Sequence, residues 1–296
     1  MPPDTPVDDQ IEIDPSCRDI VGGYAVAFHG LRACPRRLGS VTPMPHEEDL
    51  GPRDDVVTLR VRVDLAGTKP PLWLAAAHPG VPLLEVGLLS AHATRDAMQG
   101  SIAQARSHCQ RAVALLEDLG QKAEAAAMEA LIGGAMVERL ADDVPAMEAK
   151  LRGALTTLEQ LGDTISASKA CSFLADALYL QNRLDDAEAL TFTAEQTAAA
   201  DIDPQVRWRR VRAKVRARHG AYEEAEALAR EAVALALPTQ LVNSTADALV
   251  DLAEVLRLRG RWSEAPPHVE AARSLYVRKG NVVQARWASR FNETGL

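Results

Sequence analysis

The sequence predicts an all-α fold, a stack of helix pairs forming an α-solenoid, on three observations. A helix-ending residue stands five positions before an alanine five times, at Gly100/Ala105, Ala141/Ala146, Asn182/Ala187, Gly220/Ala225 and Gly260/Ala265. The intervals between those alanines are 41, 41, 38 and 40 residues, and a fixed period in that range marks a stacked repeat. From Leu83 onward, apolar residues recur at three- and four-residue spacing, as in Leu84, Leu88, Leu89 and His92, then Ala105, Cys109, Ala112, Val113 and Leu116. Finally, the chain is 47% hydrophobic but only 4% aromatic, so alanine, leucine and valine supply the apolar content and favour close-packed helices.

Taken in order, the first 56 residues are rich in proline, at Pro2, Pro3, Pro6, Pro43, Pro45 and Pro52, and keep neither helical nor strand period. A loosely structured segment is expected there. Residues 57–65 alternate, with Val57, Leu59, Val61, Val63 and Leu65 on one side and Thr58, Arg60, Arg62 and Asp64 on the other. That is one amphipathic strand, which must pair with a piece of the N-terminus such as Tyr24 to Phe28 or with another chain. Thr58 to Trp73, with Lys69-Pro70-Pro71-Leu72-Trp73, resembles the opening strand of the plasmid open-reading-frame-three-like family over about sixteen residues. Leu74-Ala75 then stands where that family has a basic pair. The expected organisation is a largely irregular segment at 1–80 and a helical repeat domain at 81–296.

Within the repeats, helix pairs are predicted at 84–99 with 102–119, 122–140 with 144–161, 164–181 with 184–199, 205–219 with 222–236, and 242–259 with 263–279, followed by a capping helix at 282–291. Gly100, Gly120, Gly162, Gly220, Gly260 and Gly280 fall where helices end, and glycine suits a left-handed C-terminal cap. Acidic residues follow, as Asp142-Asp143, Asp185-Asp186, Glu223-Glu224 and Glu264, where a carboxylate complements the positive helix terminus. Pro266-Pro267 is tolerated if Trp262 or Ser263 is the N-cap, because no intrahelical bond is lost in a first turn. Gly133-Gly134 inside a helix points to close approach of a neighbour or to a kink.

These residues resemble the tetratricopeptide-repeat family in its longer-helix variants. The family's small residue early in the second helix appears as Ala105, Ala146, Ala187, Ala225 and Ala265, and its aromatic or leucine just before as Leu184, Tyr222 and Trp262. The resemblance implies a right-handed α-solenoid of about five helix-turn-helix repeats with the first helix of each pair lining a concave groove. The segments 208–215, 246–257 and 275–281 are similar to the C-terminal repeats of large bacterial (actinobacterial-type) signalling ATPases and class III adenylate cyclases. There the repeats are the sensor or partner-binding part, joined to a nucleotide-binding motor. This chain has no GxxxxGK[ST], no GxGxxG after a strand and no metal-binding carboxylate pair in cyclase context.

Other chemistry is equally unsupported, so no enzyme activity, cofactor or metal is expected. The seven histidines form no HExxH or HxH, and no serine sits in GxSxG. His108 and Cys109 are adjacent on a helix, so their side chains diverge by about 100 degrees and read as core or boundary residues. Cys17, Cys34, Cys109 and Cys171 lack the spacing of a zinc site or disulfide framework, which fits reduced thiols in a cytoplasmic protein. The net charge of −8 argues against a nucleic-acid partner. The apolar stretch from Leu72 to Leu89 is too interrupted to span a membrane.

The remaining function is binding, and one charged cluster invites assignment. On the wheel of helix 205–219, Trp208, Val211, Val215 and His219 form the expected buried stripe, Arg209, Arg212 and Arg216 line one flank, and Arg210, Lys214 and Arg218 the other. Arg209, Arg212 and Arg216 with Asn243, Asp247 and Asp251 are the candidate partner-binding groove, able to clamp a carboxylate of a peptide or protein. The acidic stripe Asp247, Asp251 and Glu254 is equally placed to pair with the basic one. The expected function is a non-catalytic protein-interaction scaffold in a bacterial cytoplasm; the alternative is a regulatory module acting in trans on a cyclase-like or ATPase signalling or transcription protein.

Overall fold

The computed structural model describes residues 27–29, 56–58, 82–119, 124–198 and 201–294. The chain divides into two units, Met1–Val63 and Asp64–Leu296. In the first, β1 (Ala27–His29) pairs antiparallel with β2 (Val56–Thr58), Phe28 opposite Val57. β2 overlaps the expected strand at Val57 and Thr58. The rest of that strand, nearly all of the Thr58–Trp73 likeness, Cys17, Cys34 and Gly120 lie outside the described residues.

The second unit is the helical stack. Its described helices are α1 (Pro82–Met98), α2 (Ile102–Leu119), α3 (Glu124–Leu140), α4 (Val144–Leu161), α5 (Thr164–Leu180), α6 (Leu184–Thr197), α7 (Ile202–Arg218), α8 (Tyr222–Ala236), α9 (Val242–Leu258), α10 (Ala265–Lys279) and α11 (Val282–Thr294). Each helix packs on its neighbours in sequence, and first helices also pack on one another, α1 on α3, α5 on α7 and α7 on α9. Apolar clusters accordingly run from helix to helix rather than into one centre. One joins Leu151, Phe173, Leu178, Val211 and Val215; another joins Leu249, Val269, Tyr276 and Phe291. Contacts confined to neighbours are the signature of a solenoid.

Every hairpin turns in the same way, which explains the repeat. Gly100, Asp142, Asn182, Gly220 and Gly260 have φ between +60° and +88°. The next residue's N–H donates to the carbonyl five positions back, as in Ser101 to Asp96, Asp143 to Glu138, Arg183 to Leu178, Ala221 to Arg216 and Arg261 to Leu256. This double-bonded turn needs a residue that tolerates the left-handed region, hence glycine, asparagine or aspartate. Five residues after each such position comes a side chain with no exposure: Ala105, Met147, Ala187, Ala225 and Ala265.

The second hairpin is therefore shifted by one residue from the expectation. Asp142 is its left-handed residue and Met147 its anchor, whereas Ala146 is only half-buried. Asp142 lies outside the first turn; Asp143 is the N-cap, accepting from the Ala146 N–H at 3.2 Å. At the fifth hairpin a 3-10 turn at Trp262–Glu264 precedes α10, whose N-cap is Glu264, so Pro266 and Pro267 still lie in the first turn. Gly133 does not mark a close approach, since a Cβ there would meet nothing within 4 Å, and α3 runs on unbroken.

The two ends of the stack touch. Gln99 Nε2 donates to the Gly280 carbonyl at 2.8 Å, a Cβ at Gly100 would lie 3.8 Å from Val283 Cγ2, and Asn243 Nδ2 lies 3.6 Å from Met98 Sδ. The face made by the first helices is thus bounded by α1 on one side and α11 on the other.

Candidate partner-binding face

The sequence of α7 carries seven cationic side chains in seventeen residues, yet the helix sits in the middle of the stack among α5, α6, α8 and α9. Asp201 caps it by accepting from the Asp203 N–H at 3.1 Å. Arg210 and Lys214 are each 3% exposed and Arg212 6%. Buried cations persist only with carboxylates beside them, and both flanks of α7 supply these.

Toward the first helices, Arg210 Nε reaches Asp251 at 2.5 Å and its Nη1 reaches Asp247 at 3.1 Å. Lys214 Nζ bridges Asp176 at 3.0 Å and Asp251 at 3.2 Å. Arg139 of α3 closes on the other oxygen of Asp176 at 3.3 Å. The Tyr276 hydroxyl donates to Asp247, and the Tyr179 hydroxyl donates to Glu254. One network thus ties α3, α5, α7, α9 and α10 together.

Its electrostatics follow from burial set against pairing. Burial alone would raise the Asp176 carboxyl, but Lys214 and Arg139 hold it well below the usual carboxylate range. Burial would lower Lys214, but Asp176 and Asp251 hold it above the ordinary amine value. Glu254 moves the other way: burial, with Asp251 beside it, pushes its carboxyl up despite Lys214. Burial, reinforced by Glu254, also raises the Tyr179 hydroxyl.

Toward the second helices, Arg209 pairs with Glu231 of α8 at 3.3 Å, and Arg216 pairs with Glu188 of α6 at 2.7 Å. Arg212 donates to Thr191 at 3.0 Å and to Glu195 at 2.8 Å, its guanidinium lying over the rings of Phe192 and Trp208.

The six residues expected to line one groove therefore fall into two sets. Arg209, Arg212 and Arg216 face α6 and α8, whereas Asp247 and Asp251 face Arg210 and Lys214, the flank not assigned to the groove. Asn243 lies with the aspartates on α9, half-buried, and accepts from Asn281 Nδ2 at 3.3 Å. Charge pairing of the acidic stripe is present, but with the opposite basic flank. His219 leaves the predicted buried stripe because it is the C-cap of α7, past the last packed turn, and is exposed.

Sequence reasoning missed Arg139, Asp176 and the Tyr179–Glu254 pair. Asp176 had a signal: a single carboxylate inside the otherwise apolar run Ala170–Leu180 must bring its own counter-charge when buried. Cys109 and Cys171 are buried free thiols, each pushed up to about 11 by burial, and inert as nucleophiles. His108 pairs with Asp96 at 3.4 Å. Among the described residues, no cluster of three or more His, Cys, Asp or Glu side chains could hold a metal ion, and no helix is long and apolar enough to cross a membrane.

No protein-family model matches the chain, and no curated protein matches it. Solved structures do. BtubC (BKLC) from P. vanneervenii aligns with a TM-score of 0.52 at 15% identity, covering 69% of this chain and 85% of that one. A putative kinesin light chain with nearly identical TPR-like repeats from Podosopora anserina aligns with a TM-score of 0.48 at 16% identity, covering 68% and 98%. Neither is described as an ATPase or a cyclase. At such identities the likeness is one of fold: the chain is an all-α, TPR-like solenoid.

Proposed function

We propose that the chain is a non-catalytic protein-interaction scaffold that takes a peptide or protein segment on the face formed by its first helices. The observation that carries this reading is the stack itself, which brings side chains from successive repeats onto one continuous face. On that face Asn243 and Asp247 are half-buried, and Trp287, at the register position of Asp247 one repeat later, is 38% exposed. An aromatic side chain beside hydrogen-bonding groups is a common anchor for a bound segment.

Arg209, Arg212 and Arg216 enter this proposal as supports. A partner carboxylate could reach them only by displacing Glu231, Glu195 or Glu188. The regulatory reading, a module acting in trans on a cyclase-like or ATPase protein, rests on the sequence resemblance alone.

The test is crosslinking in the native host, followed by affinity measurement with each captured partner against wild type, Trp287→Ala and Asn243→Arg. Loss of affinity with an unchanged thermal midpoint supports the face. Unchanged affinity for every partner discards it.

A further inference from the structure

The last helix pair differs from the rest of the stack in both packing and charge. In the preceding repeat, Ala246, Leu249 and Val250 of α9 are buried under α10, in the cluster with Val269, Ala272 and Tyr276. Forty residues later, the same register positions of α11 hold Arg286, Ser289 and Arg290. No second helix covers them among the described residues; Arg286 and Arg290 are exposed and Ser289 half-buried.

An open groove of about 220 Å³ lies there, lined by Val277 and Arg273 of α10 and by Val282, Ala285, Arg286 and Ser289 of α11. Its position is that of the next second helix. In the repeat before, Val233 of α8, the counterpart of Arg273, packs against the cluster that α10 completes.

Charge separates this groove from every earlier one. From Ala265 to Phe291 the chain has five cationic side chains and one carboxylate, Glu270, in a protein whose net charge is −8. Between Arg106 and Arg261 nearly all the arginines are engaged by carboxylates. Arg278 and Arg286 have no ion-pair partner among the described residues, and Val277 beside them is 59% exposed. Unpaired guanidiniums flanking an apolar floor recognise a segment that is acidic along its edges and aliphatic along its centre.

We propose that the α10–α11 groove docks an acidic amphipathic helix of a partner protein in the place of the next repeat's second helix. Its aliphatic stripe lies on Val277, Val282 and Ala285, and its carboxylates meet Arg278 and Arg286. This rests on the scaffold reading but uses a surface separate from Asn243 and Trp287.

The experiment pans a displayed library of random 18-residue peptides against the full chain. Enriched peptides are then measured by fluorescence anisotropy against wild type, the Arg278→Glu/Arg286→Glu variant and Asn243→Arg, with circular dichroism confirming the fold of each. Expected are peptides rich in Glu or Asp with Leu or Ile at three- and four-residue spacing. Their affinity should fall at least tenfold in the double variant, stay unchanged in Asn243→Arg and weaken with salt. The proposal is overturned if no acidic peptides enrich, or if their affinity survives the charge reversal. It is also overturned if binding is lost only in Asn243→Arg, which would keep the scaffold reading and remove this site. Self-association that the double variant abolishes would make a second copy of the chain the occupant and equally overturn it.

Discussion

Two clusters of the same chemistry, one around Lys214 and one around Glu226, show how position in the stack decides what an ion pair does. Around Lys214, the side chains of Arg210, Asp176 and Asp251 are no more than 8% exposed, and they join first helices. Around Glu226, Arg230 at 2.7 Å, Arg259 at 2.8 Å and Arg261 at 2.5 Å gather with 30 to 50% of their side chains in solvent. Distances are alike. Water is not, and in high dielectric an ion pair contributes little, whereas a buried charge that loses its partner carries a large desolvation cost. The inner cluster fixes which helices meet and at what register; the outer one decorates a turn.

The largest expected effect comes from breaking the inner cluster at its bridge. Lys214→Met leaves Asp176 with Arg139 alone and removes one of the two cations on Asp251. A loss of about 3–5 kcal/mol is expected from leaving buried carboxylates short of partners, read as the shift in urea midpoint. Adding Asp176→Leu should recover part of that loss, because one orphaned charge then disappears. A single-variant loss below about 1 kcal/mol would erase the distinction between the clusters.

Much of this fold was legible because its signal repeats. The left-handed turn residue and the buried residue five positions later recur in every hairpin, so even the one-residue shift at Asp142 and Met147 displaced no helix. The inner network was less legible. A helical wheel places Arg210 and Arg212 on opposite flanks but cannot say which flank meets which neighbour, because α7 is enclosed on both sides and neither flank is a free surface. The wheel treated arginine as a sign of solvent, and here carboxylates from other repeats, as far away as Asp251, reverse that inference.

Acidity gives the next test. Asp176 has its folded value depressed, so its contribution is present above the unfolded value of 3.8 and is lost as pH falls below it. Lys214 is raised, so its contribution is complete below 10.5 and is lost as pH rises through the folded value. Glu254 is raised as well; what it contributes is present below 4.5 and declines as pH rises, opposing Asp176. The expected stability profile has an acid limb that becomes shallower in Asp176→Asn, and Glu254→Gln should gain stability at neutral pH. An acid limb unchanged in Asp176→Asn would mean that the inner cluster does not set the acid stability.

A change of packing without charge sharpens the contrast. Gly133 sits on α3, the helix that carries Arg139, with open space where a Cβ would go. Gly133→Ala should stabilise by about 1 kcal/mol through helix propensity. It should do so equally at low and high salt, by thermal melts at both, because no charge is involved.

The smallest effect belongs to the outer cluster. Arg259→Ala removes one of three guanidiniums from Glu226 and the only one on Glu223, whose side chain is 82% exposed. Arg230 and Arg261 still hold Glu226, so no carboxylate is left buried and alone. The expected loss is about 0.5 kcal/mol at low salt, falling toward zero at about 1 M salt, where screening acts within about 3 Å. Glu226 has its carboxyl lowered despite burial because Arg230 and Arg261 donate to it, and neither of those bonds is touched by the substitution. If Arg259→Ala instead cost as much as Lys214→Met and kept that cost at high salt, exposure would not be what separates the two clusters. The stack would then depend on its turns as much as on the charges between its first helices.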